Sequence, residues 1–147
     1  MTTSGPILFS YDGSDLAKAA INEAARLLGK GRDAIVLTVW RPADVGFLPP
    51  RGVELDAARS DEVKAAAAET AAEGAALAEA AGFHARSVET NAAPTWKAII
   101  DIAEEQDASL IVLGSHGRSG VRGVFVGSVA GAVAAHCGRS VLITHCL

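Results

Sequence analysis

Residues 110–127 read LIVLGSHGRSGVRGVFVG, and Ser128 follows at once. Leu110, Ile111, Val112 and Leu113 form an unbroken run of β-formers, too short for an ordinary core helix and suited to a strand buried on both faces. The run stops at Gly114. Glycine, hydroxyl and basic residues then alternate through Ser115, His116, Gly117, Arg118, Ser119, Gly120, Arg122 and Gly123, until Gly127 and Ser128 open an alanine-rich helical segment. A strand, a glycine-rich loop and a helix start together make a place for an anion. Glycines let backbone N–H groups approach a ligand, and the first turn of a helix presents unpaired donors. Ser128 suits both an N-cap and a phosphate ligand, and Arg118, Arg122, Ser115 and Ser119 add donors to an acceptor-only group. A ligand-free surface loop would have the same composition.

Outward from this stretch, the chain of 147 residues suits one domain, 1–147, long enough to bury about 70% of its unfolded surface around one core. Half the residues are apolar, yet no run approaches the roughly 20 needed to span a membrane. The opening MTTSGP lacks the basic and apolar regions of a signal peptide, so a cytoplasmic location is expected. A net charge of −4 gives no general attraction to nucleic acid, so the arginines of the loop read as local ligand chemistry. Cys137 and Cys146 form neither a C-x-x-C pair nor a metal constellation, and read as small hydrophobes. His84, His116, His136 and His145 lack the i, i+4 spacing of a zinc helix, so no protein metal site is expected.

In chain order, Ile7, Leu8, Phe9 and Tyr11 predict a first strand ending at Asp12-Gly13-Ser14, with Ser14 and Asp15 as cap and first turn. The helix from Asp15 to Leu28 carries Leu16, Ala20, Ala24, Leu27 and Leu28 near helical spacing and closes at Gly29. Ala34 to Trp40 is a second continuous apolar strand. Residues 41–52, with Pro42, Pro49, Pro50, Gly46 and Gly52, predict a long loop on which Phe47 and Leu48 could cover a ligand or a second copy of the chain, or simply tuck into the core. From Leu55 to Ala81 alanine and glutamate predict the longest helix, with Gly74 as its interior weak point. Its acidic residues Glu54, Asp56, Asp61, Glu62, Glu69, Glu73 and Glu79 read as a solvated face.

Ala85 to Thr90 is a more polar strand, expected near a sheet edge. Pro94 begins a helix whose Trp96, Ile99, Ile100 and Ala103 should face the sheet. Ser128 to His136 forms a short helix ending near Gly138, and Ser140 to Cys146 the fifth strand. Alternating strands and helices predict an α/β fold: a parallel sheet with right-handed crossovers and helices on both faces.

Gly114-x-x-Gly117, nine residues, then Gly127-Ser128 is the nucleotide-loop pattern of the universal stress protein family, which this sequence resembles along nearly its whole length. The resemblance also rests on Asp12-Gly13-Ser14, on the block from Gly114 to Gly120, on Gly127-Ser128-Val129 and on Val141 to Thr144. It implies a five-stranded parallel sheet of order 3-2-1-4-5, Rossmann-like or adenine nucleotide alpha hydrolase-like, with a ligand crevice between the first and fourth strands. It further implies membership of the ATP-binding subgroup, with magnesium held mainly by the phosphates. Gly114, Gly117, Gly127, Ser128 and Val129 match ribose and phosphate contacts, and Leu113 before them is counted with the cofactor-binding residues. Ser10, Asp12 and Val39 match positions around the ribose, adenine and first loop, Val39 meeting adenine through its backbone. Arg118, Ser119 and Gly120 follow as further phosphate neighbours.

Asp12 could accept from a ribose hydroxyl, assist a phosphate-bound magnesium, or simply form an Asx-turn with Gly13. Departures from the family pattern are Arg139-Ser140 before the last strand, Ser109 before the fourth, and Tyr11, whose bulky ring could line or narrow the site. No Gly-x-x-x-x-Gly-Lys-Ser/Thr loop is present. Three functions follow: a nucleotide-dependent stress-response sensor or switch in which ATP orders loop 115–126 for a regulatory protein partner or a dimer; a slow ATP hydrolase or phosphotransfer enzyme, with His116 or Ser119 nearest; and a dimeric interaction module without nucleotide. The resemblance implies a homodimer through the C-terminal strand, to which Val141, Leu142, Ile143 and Leu147 would contribute, with Cys146 near the interface. Neither nucleic acid nor a membrane is expected as a partner.

Overall fold

Nine elements alternate along the chain in a computed structural model that describes residues 5–41, 57–116 and 126–145. They are β1 (Ile7–Ser10), α1 (Asp15–Leu28), β2 (Asp33–Trp40), α2 (Ala57–Ala80), β3 (His84–Asn91), α3 (Thr95–Glu105), β4 (Leu110–Gly114), α4 (Ser128–His136) and β5 (Ser140–Thr144). All neighbouring strands pair in parallel, and the sheet runs β3-β2-β1-β4-β5. The expected α/β class and strand order are both found. Polar β3 occupies one edge, as its composition predicts.

The unbroken apolar runs are explained by burial on both sides of the sheet. Ile7, Phe9, Ala34, Val36 and Val112 face α1 and α2, while Leu8, Ile35, Leu37, Ile111 and Leu113 face α3 and α4. Phe9 meets Phe83 edge-on, with ring centroids 5.3 Å apart. No helix of the described residues is long and apolar enough to cross a membrane.

Several local expectations need correction. In α1, Ala20 and Ala24 of the predicted set are buried beside Ala17 and Ile21 and Leu28 packs against the core, but Leu27 is 51% exposed. Pro94 is the N-cap of α3 instead of its first helical residue. Gly74, a weak point in helix propensity, is also a contact: a Cβ there would lie 2.7 Å from the Tyr11 ring and from Val36, so only glycine lets α2 lie this close to the sheet. Its cost in helix propensity, about 1 kcal/mol, is offset by packing that a larger residue would disrupt by roughly 1–3 kcal/mol.

At the amino ends of the strands, Ser109 and Arg139, two of the departures from the family pattern, bind the chain to itself. The Ser109 hydroxyl donates to the Gly5 carbonyl (2.7 Å) and accepts from Arg32 (2.6 Å). The Arg139 guanidinium donates to the Ala108 carbonyl at 2.7 Å and to Asp107 at 3.1 Å. Both lie at the end of the sheet opposite Gly114 and Ser115. The proline loop with Phe47 and Leu48, and Cys146 and Leu147, lie outside the described residues. Cys137 is half-buried, and its sulfur accepts from the Arg139 N–H.

Candidate functional site

The sheet opens at its carboxyl end. The β1–β4 ladder stops at Phe9 and Val112, while β1 continues along β2 through Ser10 and Leu37, and β4 continues along β5 through Gly114 and Thr144. Further bonds hold each strand to its outer neighbour. The Tyr11 N–H donates to the Leu37 carbonyl (2.8 Å) and the buried Thr38 hydroxyl to the Tyr11 carbonyl (2.8 Å). On the β4 side, the Ser115 N–H donates to the Thr144 carbonyl at the end of β5, at 2.9 Å. The pairing of β1 with β4 therefore ends before either strand does, with Ser10 and Asp12 beyond it on one side and Leu113, Gly114 and Ser115 on the other. This is the topological switch point of an open parallel sheet.

The Asp12 side is closed by its own side chains. A carboxylate oxygen of Asp12 accepts from the Ser14 N–H at 3.0 Å, the Asx-turn anticipated from sequence. The Ser14 hydroxyl caps α1 by accepting from the Ala17 N–H at 3.2 Å. Tyr11 does not line the crevice. Its ring is 2% exposed within the core, and its hydroxyl donates to Glu73 at 2.6 Å; Lys18 stands 3.5 Å from the same carboxylate oxygen. Glu73, expected on a solvated face, thus anchors α2 to the end of β1. Burial first, then the hydrogen bond and charge of Glu73, push the Tyr11 phenol well above its ordinary value, with a smaller contribution from Asp12.

The opposite side is built differently. Gly127, not Ser128, is the N-cap of α4, and among the described residues no side chain caps that helix. The first helical bond runs from the Gly131 N–H to the Gly127 carbonyl (2.8 Å), so the N–H groups of Ser128, Val129 and Ala130 have no intrahelical acceptor. The Gly127 N–H donates to the Ser115 carbonyl at 2.6 Å, drawing together the two ends of the glycine-rich loop. A Cβ on Gly127 would sit 2.7 Å from that carbonyl, so glycine is required by the close approach and not by an unusual φ. Gly114 ends β4 beside the Leu16 carbonyl of α1.

Other expected residues fall around this frame. Ser10 is half-buried opposite Leu37. Val39 is half-buried against the α3 and α4 core and pairs with Thr90. Val129 packs on the same core, and Ser128 is exposed. Gly117, Arg118, Ser119 and Gly120, with Arg122 and Gly123, lie outside the described residues. Trp96 is half-buried on that core and stacks on His136 at 4.6 Å, as a packing residue. Sequence reasoning missed Thr38 and Thr144, each a buried hydroxyl residue interrupting an apolar strand, which was the available signal.

The sequence profile of the universal stress protein family matches residues 4–145. The chain belongs to the universal stress protein family. A universal stress protein of Mycolicibacterium smegmatis is 32% identical over 142 residues; the match covers 94% of this chain and 45% of that protein, so the chain spans about half the length of its relative. Among solved structures, a universal stress protein in complex with cAMP aligns with a TM-score of 0.65 and 25% identity over 98% of both chains. The Archaeoglobus fulgidus universal stress protein in complex with dAMP aligns with a TM-score of 0.66 and 24% identity, over 97% of this chain and 98% of that one, a likeness of fold.

Proposed function

We propose that this universal stress protein binds an adenine nucleotide, ATP by preference, in the crevice between β1 and β4. One observation carries the reading: among the described residues α4 begins with no side-chain cap, beside the carbonyl-to-glycine closure of Ser115 and Gly127 and beyond the end of the β1–β4 pairing from Asp12. Open backbone donors at a helix start favour an acceptor-only anion, and the partial positive charge there adds to the attraction. The relatives with cAMP and dAMP support an adenine ligand. In this reading Gly114, Gly117, Gly127, Ser128 and Val129 hold ribose and phosphates, with Leu113 at the strand end and Arg118, Ser119 and Gly120 adding donors. Ser10, Asp12 and Val39 surround the base and ribose, and magnesium arrives held mainly by the phosphates.

The nucleotide then acts as the input to a switch read by a regulatory protein or a second copy of the chain. A homodimer through β5 fits an edge strand whose Val141, Leu142 and Ile143 are half-buried. The test is mass spectrometry of nucleotide released from freshly purified protein, compared with Gly127→Glu, which puts bulk and negative charge at the pinch. ATP from the parent and none from a folded variant is the expected result. No nucleotide from either, and no binding on adding ATP with magnesium, would overturn the assignment.

A further inference from the structure

We propose that His116 donates a hydrogen bond from Nε2 to the phosphate chain, and that Ser115 is the positioning residue that sets the ring for it. The inference rests on the nucleotide reading above and goes on to name the side chain that reads the phosphates. Ser115 is held at three points. Its N–H donates to the Thr144 carbonyl, its carbonyl accepts from Gly127, and its hydroxyl meets His116 Nδ1 at 3.2 Å. The residue is 3% exposed, so this hydroxyl is a fixed partner and not a wandering surface group.

The ring's connectivity decides where its second nitrogen goes. A Cβ placed on Gly127 would lie 3.3 Å from His116 Cδ2, so the Cδ2 edge of the imidazole is turned toward the start of α4. Nε2 is bonded to Cδ2 and lies on that edge, away from the Ser115 hydroxyl. A serine hydroxyl can donate or accept, and so by itself permits either neutral tautomer. An anion can only accept. Bound beside the open N–H groups of α4, it selects the ring with its proton on Nε2, and the Ser115 hydroxyl then donates to Nδ1. The pair acts as one directed chain of donors: Ser115 to imidazole, imidazole to phosphate.

Isothermal titration calorimetry with ATP and with adenosine, which shares the base and ribose but has no phosphate, separates this role from a structural one. His116→Ala is expected to weaken ATP about tenfold, in the range of one hydrogen bond to a charged group, and to leave adenosine unchanged. His116→Gln, whose amide N–H can stand near the place of Nε2, recovers most of the loss. Imidazole 15N spectra of the parent with ATP at pH 8 should show the proton on Nε2. Ser115→Ala should retain the imidazole, show mixed tautomers, and bind ATP a few-fold more weakly. Equal losses for ATP and adenosine, unchanged ATP affinity in His116→Ala, or a proton on Nδ1 alone in the complex would each overturn the proposal while leaving nucleotide binding intact. A parent protein that binds neither ligand would overturn the nucleotide reading itself, and this inference with it.

Discussion

The β1–α1 and β4–α4 turns are the same topological unit on the two sides of one crevice, and they are completed in opposite ways. In the first, Asp12 accepts from Ser14, the Ser14 hydroxyl accepts from Ala17, and Asp15 supplies a carboxylate to the first turn of α1. In the second, Gly127 offers no side chain, and the first turn of α4 has no acidic residue. One helix start has a first-turn N–H bonded to a side chain of its own N-cap; the other, among the described residues, has none. A helix N-terminus attracts anions only where nothing local has already taken its N–H groups. In the proposed reading the anion therefore sits at α4, and the first turn contributes the facing wall.

Filling the open helix start should have the largest effect. Ser128→Asp, at an exposed position, supplies α4 with the carboxylate that α1 already has. We expect ATP affinity to fall at least tenfold from like-charge repulsion, by calorimetry, while thermal stability stays level or rises by about 0.3–1 kcal/mol. Binding and stability moving in opposite directions is the signature; a parallel fall in both would mean that the two helix starts do not differ as described.

The next test loosens the anchor of the first turn. Tyr11→Phe removes the hydroxyl bond to Glu73, and a loss of about 1 kcal/mol is expected at neutral pH from urea unfolding, discounted because Glu73 is half exposed. The pH dependence has a definite sign. The folded-state value of the phenol is raised, so its contribution is complete below the ordinary tyrosine value of about 10 and declines as pH rises beyond it, where the unfolded chain ionises first. The stability gap between parent and Tyr11→Phe should therefore narrow between pH 9 and 11, on the order of the tyrosine value. A gap that widens over that range would refute the buried, carboxylate-bonded phenol.

The smallest effect is expected from uncapping α1. Ser14→Ala should cost about 1 kcal/mol or less in the melting transition and leave ATP affinity within about twofold, since that helix start serves the fold. A large loss of binding in Ser14→Ala would erase the distinction between the two turns.

Much of this was legible locally. The Ser14 cap, the apolar strand runs and the helix from Asp15 to Leu28 depend on residues within a few positions of one another, and spacing and capping chemistry report them directly. The glycine–serine pattern at Gly114, Gly127 and Ser128 marked the proposed site. Its detailed chemistry was less legible. Ser128 looks like a cap by residue type, yet Gly127 takes that place because its N–H must reach the Ser115 carbonyl with no room for a Cβ. Leu27 fits a helical stripe but faces solvent, because the choice between adjacent stripes is made by the sheet beneath.

By itself, the sequence determined the alternation of strands and helices, burial of the strands on both faces, and the loop able to bring backbone donors to an anion. These follow from period, propensity and the missing Cβ of glycine, all properties of short stretches. The tertiary structure alone decided where β1 and β4 part, that Gly74 seats α2 against Tyr11, and that Tyr11 turns from the crevice to Glu73, 62 positions away. It also decided that Gly127, and not Ser128, takes the N-cap of α4. Each of these depends on groups distant in sequence competing for the same hydrogen bonds and the same space, and that competition is resolved only when the chain is packed.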